Sequence, residues 1–340
     1  MKKIVIALLL LGAVMHVSAQ EDFNKLIEVG ISNHDKGRYK DAINYYKKAL
    51  ELQQNSPLAN YEISLSYMSL KDYKNAIKYS DKVISSSKDE RYLLPAYVNK
   101  GSALDMLGKT KKSIKIFEKG IKKLGNHYLL HFNLAINYLK MNDLENGEVH
   151  LQEAIKHNPV HTSSHFYLAK INDSKGKRVQ ALLASYYFLF IEPESIRAQE
   201  IYAILQKNIK AGVKKEDGKN VTINLNLLGK DDDFGAAELM LSMLEATHKL
   251  EKNKDKTKEE MFVENTKSLF LILGELKENS EKEGFWWEFY VTFYDKLAKS
   301  GHIEAFCNFV TQMDLKSKRW IDDNEEKIKK FFTWLEKELK

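Results

Sequence analysis

Between residues 39 and 50, Tyr39, Ala42, Tyr46 and Ala49 recur three or four positions apart among lysines, an asparagine and an aspartate. That spacing is one apolar stripe of a helix, with small side chains that let a second helix come close. The pattern returns one period of about 34 residues later, with Tyr73 in the place of Tyr39 and Tyr67, Ala76 and Val83 around it. A third set, Gly101, Leu104, Gly108, Phe117 and Ile121, comes slightly late, and the polar stretch 85–90 accommodates the insertion. Leu134, Ala135, Tyr138, Leu151 and Ala154 form a fourth set, and Leu168, Ala169, Gly176 and Ala181 a fifth. A period of this length predicts stacked helical hairpins, none of which can bury its apolar face alone. Gly37 is read as a tight helix–helix turn where a side chain would obstruct packing. Pro57, Pro95, Pro159 and Pro193 are placed at or just inside the junctions, where a proline starts or ends a helix at little cost. Ile196–Ile209 reads as a closing helix.

The stretch Gly37–Leu50 reads G-x-Y-x-x-A-x-x-x-Y-x-x-A-L, and in this it resembles the second helix of the tetratricopeptide (TPR) family. The resemblance covers about residues 23–210, with the first repeat beginning at Phe23. It implies an all-α fold: a helical solenoid of about five repeats plus a closing helix, followed by a helical C-terminal domain. In this family positions 2, 5, 9 and 12 of each first helix line the concave surface. Here they yield Ile27, Ile31, Leu58, Tyr61, Leu65, Met68, Val98, Leu129, Phe132, Ile136, Leu139 and Phe166. The chaperone-binding branch carries Lys and Asn there to clamp a peptide carboxylate. This chain has Ile27 and Ile31, then Pro95 and Asn99, at the clamp positions, so that role is not implied. An apolar groove of this length is expected to be filled by a partner protein or peptide, or by the chain's own C-terminal half.

Residues 211–233 read as a linker. Lys214–Asn220 is a polar turn, and Val221, Ile223, Leu225 and Leu227 alternate with polar residues as an extended segment without an evident partner strand. Asp231-Asp232-Asp233 lacks calcium-loop spacing and reads as an acidic helix start. From 234 to 340 the helical period returns without the repeat register, with helices expected near 235–249, 258–278, 285–299, 302–313 and 319–339. The aromatic run Phe285–Tyr294 is expected at the centre of a bundle.

Residues 1–19 have a basic start (Lys2, Lys3), an unbroken apolar core from Ile4 to Val14, and the small-residue site Val17-Ser18-Ala19. This is the pattern of a cleavable signal peptide rather than a membrane span, for which the apolar core is too short. The junction Ala19-Gln20 resembles those of exported Bacteroidota proteins, so a soluble periplasmic product is expected. Removing Lys2 and Lys3 leaves 51 basic against 47 acidic residues; that near balance, with export, argues against nucleic acid as a partner. Cys307 is the single cysteine, so no internal disulfide forms, and with no base at helical spacing it reads as an inert thiol. Phosphate loops, CxxC pairs and HExxH are absent. Two histidine pairs, His127/His131 and His161/His165, occupy equivalent places one repeat period apart. They are candidate zinc or copper ligands, although His131 and His165 sit where the resemblance implies packing. Lys111, Lys115, Lys119 and Lys122 form a basic stripe that reads as a solvated face, or as a weak contact for an anionic surface. The sequence therefore points to a non-enzymatic binding scaffold of the cell envelope without a cofactor. The alternative is an envelope enzyme or metal-binding protein acting through its C-terminal half or the paired histidines.

Overall fold

The computed structural model describes residues 20–211, 213–217, 220–223, 233–248, 256–279 and 281–338; the expected signal peptide, 1–19, lies outside them. The chain divides into two compact units, residues 1–157 and 158–340.

In the first unit four helical hairpins follow one another: α1 (20–35) with α2 (Tyr39–Leu52), α3 (Pro57–Ser69) with α4 (Tyr73–Ser86), α5 (Glu90–Met106) with α6 (Thr110–Leu124), and α7 (Tyr128–Lys140) with α8 (Leu144–His157). Each helix packs on the next, and the first helices also meet directly, α3 on α5 and α5 on α7. Ser56, Asp72 and Asp89 accept bonds from Ala59, Asn75 and Arg91 amides at the starts of α3, α4 and α5, which satisfies amides that the helix leaves unpaired.

The turn inside each hairpin has one left-handed residue: Gly37 (φ 74°), Lys71 (φ 60°), Gly108 (φ 71°) and Asn142 (φ 59°). A Cβ on Gly37 would meet nothing within 4 Å. The expectation that Gly37 makes room for packing is therefore corrected: backbone conformation selects it, and Lys71 and Asn142 accept the strain. Close approach is solved elsewhere, where the two helices of a hairpin cross. A Cβ on Gly30 would lie 2.3 Å from the Tyr46 ring, and one on Gly101 would lie 2.3 Å from that of Phe117. In the second hairpin the same two positions hold Ser64 and Ser80, hydrogen-bonded at 2.7 Å. Where an aromatic ring fills the crossing a glycine makes room for it, and where two serines meet they are joined by a hydrogen bond.

Pro95 is the second correction. The inserted residues extend α5 by an N-terminal turn capped at Asp89, and Pro95 lies inside the helix instead of at a junction. It removes one bond close to the helix start, where Arg91, whose carbonyl is released, is exposed.

The second unit is built around α10 (Arg178–Ile191). It follows α9 (Thr162–Ser174), the two joined at left-handed Gly176, and precedes α11 (Ile196–Lys210). Every residue of α10 from Arg178 to Leu189 is buried. Beyond α11 come α12 (Gly235–His248), α13 (Lys258–Asn279), a π-helical segment (Trp286–Val291) running into α14 (Thr292–Lys299), then α15 (Ile303–Val310), α16 (Leu315–Asp323) and α17 (Glu325–Glu338). Tyr186 of α10 meets the rings of Phe262, Phe270, Tyr294 and Phe306. Phe190 meets Phe293, Phe309 and Phe331. The aromatic run is buried at Trp287, Tyr290 and Tyr294, packed onto α10.

Two further expectations change. The extended segment has a partner: β2 (Asn220–Ile223) pairs antiparallel with β1 (Val213–Asp217), the residues read as a polar turn, with Val213 opposite Ile223. Leu225, Leu227, Asp231 and Asp232 lie outside the described residues, while Asp233 pairs with Lys282 at 2.6 Å. The last expected helix, 319–339, is two. The Asp314 carboxylate accepts the Lys316 amide and starts α16, and Asn324, out of the helical region at φ −127° and ψ 38°, ends it.

Candidate functional site

The first helices of the first unit carry the expected groove positions, and burial sorts them. Ile31 is exposed. Tyr61, Leu65, Met68, Leu129, Phe132 and Ile136 are half-buried. Leu58 and Val98 are half-buried too, but lean on core clusters, Leu58 on the one containing Phe23 and Ile63, Val98 on the one containing Phe117 and Leu130. Leu139 occupies the space a Cβ on Gly147 would take, 2.5 Å from its Cδ2, so it packs helix on helix. Ile27 is withdrawn from the groove, since it is buried with Phe23, Ile43 and Tyr46. Phe166, in the second unit, is withdrawn as well: it is buried against Phe188, and the Arg197 guanidinium lies 5.4 Å from its ring, held in place by Glu192.

The histidines are pins. His131 is buried on α7, with Nε2 on Asn126 Oδ1 at 3.3 Å and Nδ1 on His150 Nδ1 of α8 at 3.0 Å. Its ring stacks on His157. His165 repeats the arrangement in the second unit: Nε2 donates to the Pro159 carbonyl at 2.8 Å, and Nδ1 accepts from Tyr290 Oη at 2.6 Å. In both, Nε2 holds the loop before the helix and Nδ1 holds a neighbouring element. Burial drives His131 down to about 4 and His165 down to about 3. His127 accepts the Leu129 amide as a helix cap, and His161 bonds Ser164. Among the described residues no group of three or more His, Cys, Asp or Glu side chains is placed to hold a metal ion.

Comparison with known proteins follows the same segments. Residues 34–90 and 94–122 match two family models, each described as tetratricopeptide repeat. The chain contains tetratricopeptide repeats. Two TPR repeat-containing proteins of Methanocaldococcus jannaschii are similar to it. One is 31% identical over 129 residues, 38% of this chain and 21% of the relative; the other is 32% identical over 83 residues, 24% and 26%. The chain thus spans about a quarter or less of the relatives it matches. A thermophilic TPR protein of Thermus thermophilus aligns over 54% of this chain and 99% of its own at 17% identity, with a TM-score of 0.44. The protein pilF of Pseudomonas aeruginosa aligns over 80% and 98% at 14% identity, with a TM-score of 0.43.

TPR arrays are as a rule protein-binding scaffolds rather than enzymes, because stacked hairpins present an extended concave face. On the TPR helix α6, Lys111, Lys115, Lys119 and Lys122 are all exposed or half-exposed, as are Lys112 and Lys123, and none makes an ion pair among the described residues. No helix among the described residues is long and apolar enough to cross a membrane. Cys307 is buried and its thiol pushed far up by desolvation, the reverse of a reactive thiolate.

Sequence reasoning missed two features of the second unit. Arg178, buried at the start of α10, donates through Nε to the Asn208 carbonyl and through Nη2 to that of Ile209, at the end of α11. Its Nη1 reaches Ser242 Oγ of α12 at 2.7 Å. The other feature is a cavity in the second unit bounded by α11, α12, α13, α15 and α16. Its signal was present as polar residues among apolar ones, Asn265 and Asn308 within helices and Thr311 just after one.

Proposed function

We propose that the protein is an exported scaffold of the bacterial cell envelope, periplasmic once the leader 1–19 is removed, which binds a partner protein or peptide along the concave face of its first unit. The observation that carries this reading is the row of half-buried apolar side chains on α3 and α7: Tyr61 and Leu65 are matched in position by Phe132 and Ile136, with Met68 on the first helix and Leu129 on the second beside them. An amphipathic helix or extended peptide with spaced apolar anchors fits such a face. The leader's charge, length and cleavage pattern support export. Phe132 is the best candidate for an anchor, as the one large half-buried ring among the groove positions of α7.

The test places a photo-crosslinking residue at Leu65 or Ile136 and, as a control, at Lys115. The same cross-linked partner from both groove sites and not from Lys115 is expected. Phe132→Ser should weaken that partner by about 2 kcal/mol, the scale of an interface hot spot, while leaving the helical signal intact. Cross-links confined to Lys115 would overturn the reading.

A further inference from the structure

The charges of the first unit are sorted by layer. The first helices meet one another, α3 on α5 and α5 on α7, and the second helices pack behind them. Helices α2, α4 and α6 carry twelve lysines, all exposed, against four acidic residues. Helices α1, α3 and α5 carry the reverse, seven acidic residues against three basic ones. The basic layer ends at α8, where Glu145, Glu148 and Glu153 outnumber Lys156. None of the twelve lysines makes an ion pair among the described residues, whereas lysines of the first helices do. Lys100 holds Asp81, one of the four acids of the basic layer, and Lys140 holds Asp105.

On α6 these charges stand where they cost the free protein stability. Lys111 and Lys112 occupy its first turn, which holds no acidic residue, at the positive end of the helix dipole. Lys111 and Lys115, Lys115 and Lys119, and Lys119 and Lys123 are like charges one turn apart, and they repel. A face that only keeps a helix in water interleaves both signs, but Glu118 is the single acid of α6. An anionic surface turns each of these penalties into an attraction. The side chains also say what kind of surface. Lysine is a compact, hydrated point charge, and α2, α4 and α6 contain no arginine, the fork that reads single phosphates and bases. Neither α4 nor α6 exposes a large apolar side chain that could enter a bilayer core or a base stack. A broad basic field without anchors suits the headgroup plane of a bilayer. We propose that the face formed by α2, α4 and α6 docks electrostatically on anionic lipid, with the first helices turned away from it. The same surface repels the acidic first helices, so charge sets the orientation as well as the attraction. Docking does not depend on what fills the groove, so either reading can fail without the other.

The experiment is co-sedimentation of the chain from Gln20 onward, which keeps every described element whole. The vesicles are phosphatidylcholine alone or phosphatidylcholine mixed with phosphatidylglycerol. Binding is expected to the mixed vesicles only, and to weaken at least about tenfold between about 50 and about 300 mM salt. Lys111→Glu, Lys115→Glu, Lys119→Glu and Lys122→Glu combined should weaken it at least about tenfold at fixed salt, with the circular dichroism spectrum unchanged. The same four positions changed to Gln should weaken it by a smaller factor, and they decide if the Glu variant does not fold. Lys267→Glu, Lys318→Glu, Lys330→Glu and Lys337→Glu combined, all exposed on the second unit, change the net charge equally and should leave binding within about threefold. Absence of binding to the mixed vesicles would overturn the proposal, as would equal binding to phosphatidylcholine alone or equal loss in the two sets of variants. Tighter binding to heparin or duplex DNA than to the mixed vesicles would also overturn it, since the face would then serve a polyanionic chain.

Discussion

Replacing His165 tests whether the fifth hairpin and the C-terminal helices are held together by a neutral buried histidine. In the folded protein its ring nitrogens are committed to the Pro159 carbonyl and Tyr290 Oη. Its pKa falls from an ordinary 6.5 to about 3 because burial disfavours the cation. The unfolded chain therefore takes up a proton near pH 6.5 that the folded chain refuses until about pH 3. Stability is full above the unfolded value and is lost as pH falls between the two. At pH 5 the difference from this one residue amounts to about 2 kcal/mol, from about 1.5 pH units at about 1.4 kcal/mol each. His165→Gln keeps hydrogen-bonding capacity without a titrating group. It should be less stable than wild type at pH 7.5, and that deficit should shrink by about 2 kcal/mol at pH 5. All four tryptophans, Trp286, Trp287, Trp320 and Trp334, lie in the second unit, so their fluorescence during urea unfolding follows that unit alone. A deficit of equal size at both pH values would refute the neutral-pin argument.

Gly101→Ala should destabilise the first unit by about 1 to 3 kcal/mol, since the added Cβ strikes the Phe117 ring; adding Phe117→Leu should restore part of the loss in thermal melts followed by circular dichroism. Arg178→Met should cost about 3 kcal/mol in tryptophan-monitored unfolding, because it leaves the Asn208 and Ile209 carbonyls and Ser242 without their buried donor. Cys307 should resist a thiol reagent at pH 8 in the native protein and react at once in urea, as its buried thiol holds its proton.

The hairpin period was legible because the repeat constrains backbone and packing at once. The left-handed turn residue recurs in every hairpin whatever the surface does, and Lys71 or Asn142 can stand for glycine without shifting the register. Groove membership was less legible, because a position number says which way a side chain starts and not what covers it. Phe166 is covered by Arg197, which arrives two helices later, in the first turn of α11, and no local pattern announces that. The role of α10 was readable in principle: Arg178–Ile191 is apolar on all faces, unlike lysine-rich α6, and a helix without a polar face is covered on every side. The hairpin had a signal too, in the Asp217-Gly218 dipeptide before a β-branched run. The break at Asn324 lacks proline and glycine, and its side chain bonding back to the Trp320 carbonyl is the local competitor to helix.

The burial of α10 on every side from Arg178 to Leu189 bears on how such a chain can change over evolutionary time. Repeat arrays ordinarily gain, lose and exchange units freely, because each unit asks only for a neighbour of its own kind. Here the fifth hairpin has given up that interchangeability. Tyr186, Tyr187 and Phe190 are fitted to rings from the C-terminal helices, so a deletion or recombination ending after residue 210 would display bare aromatics to water. Crossovers that preserve this chain are confined to its first unit, where hairpins can be traded, while everything from α9 onward must be inherited as a single piece.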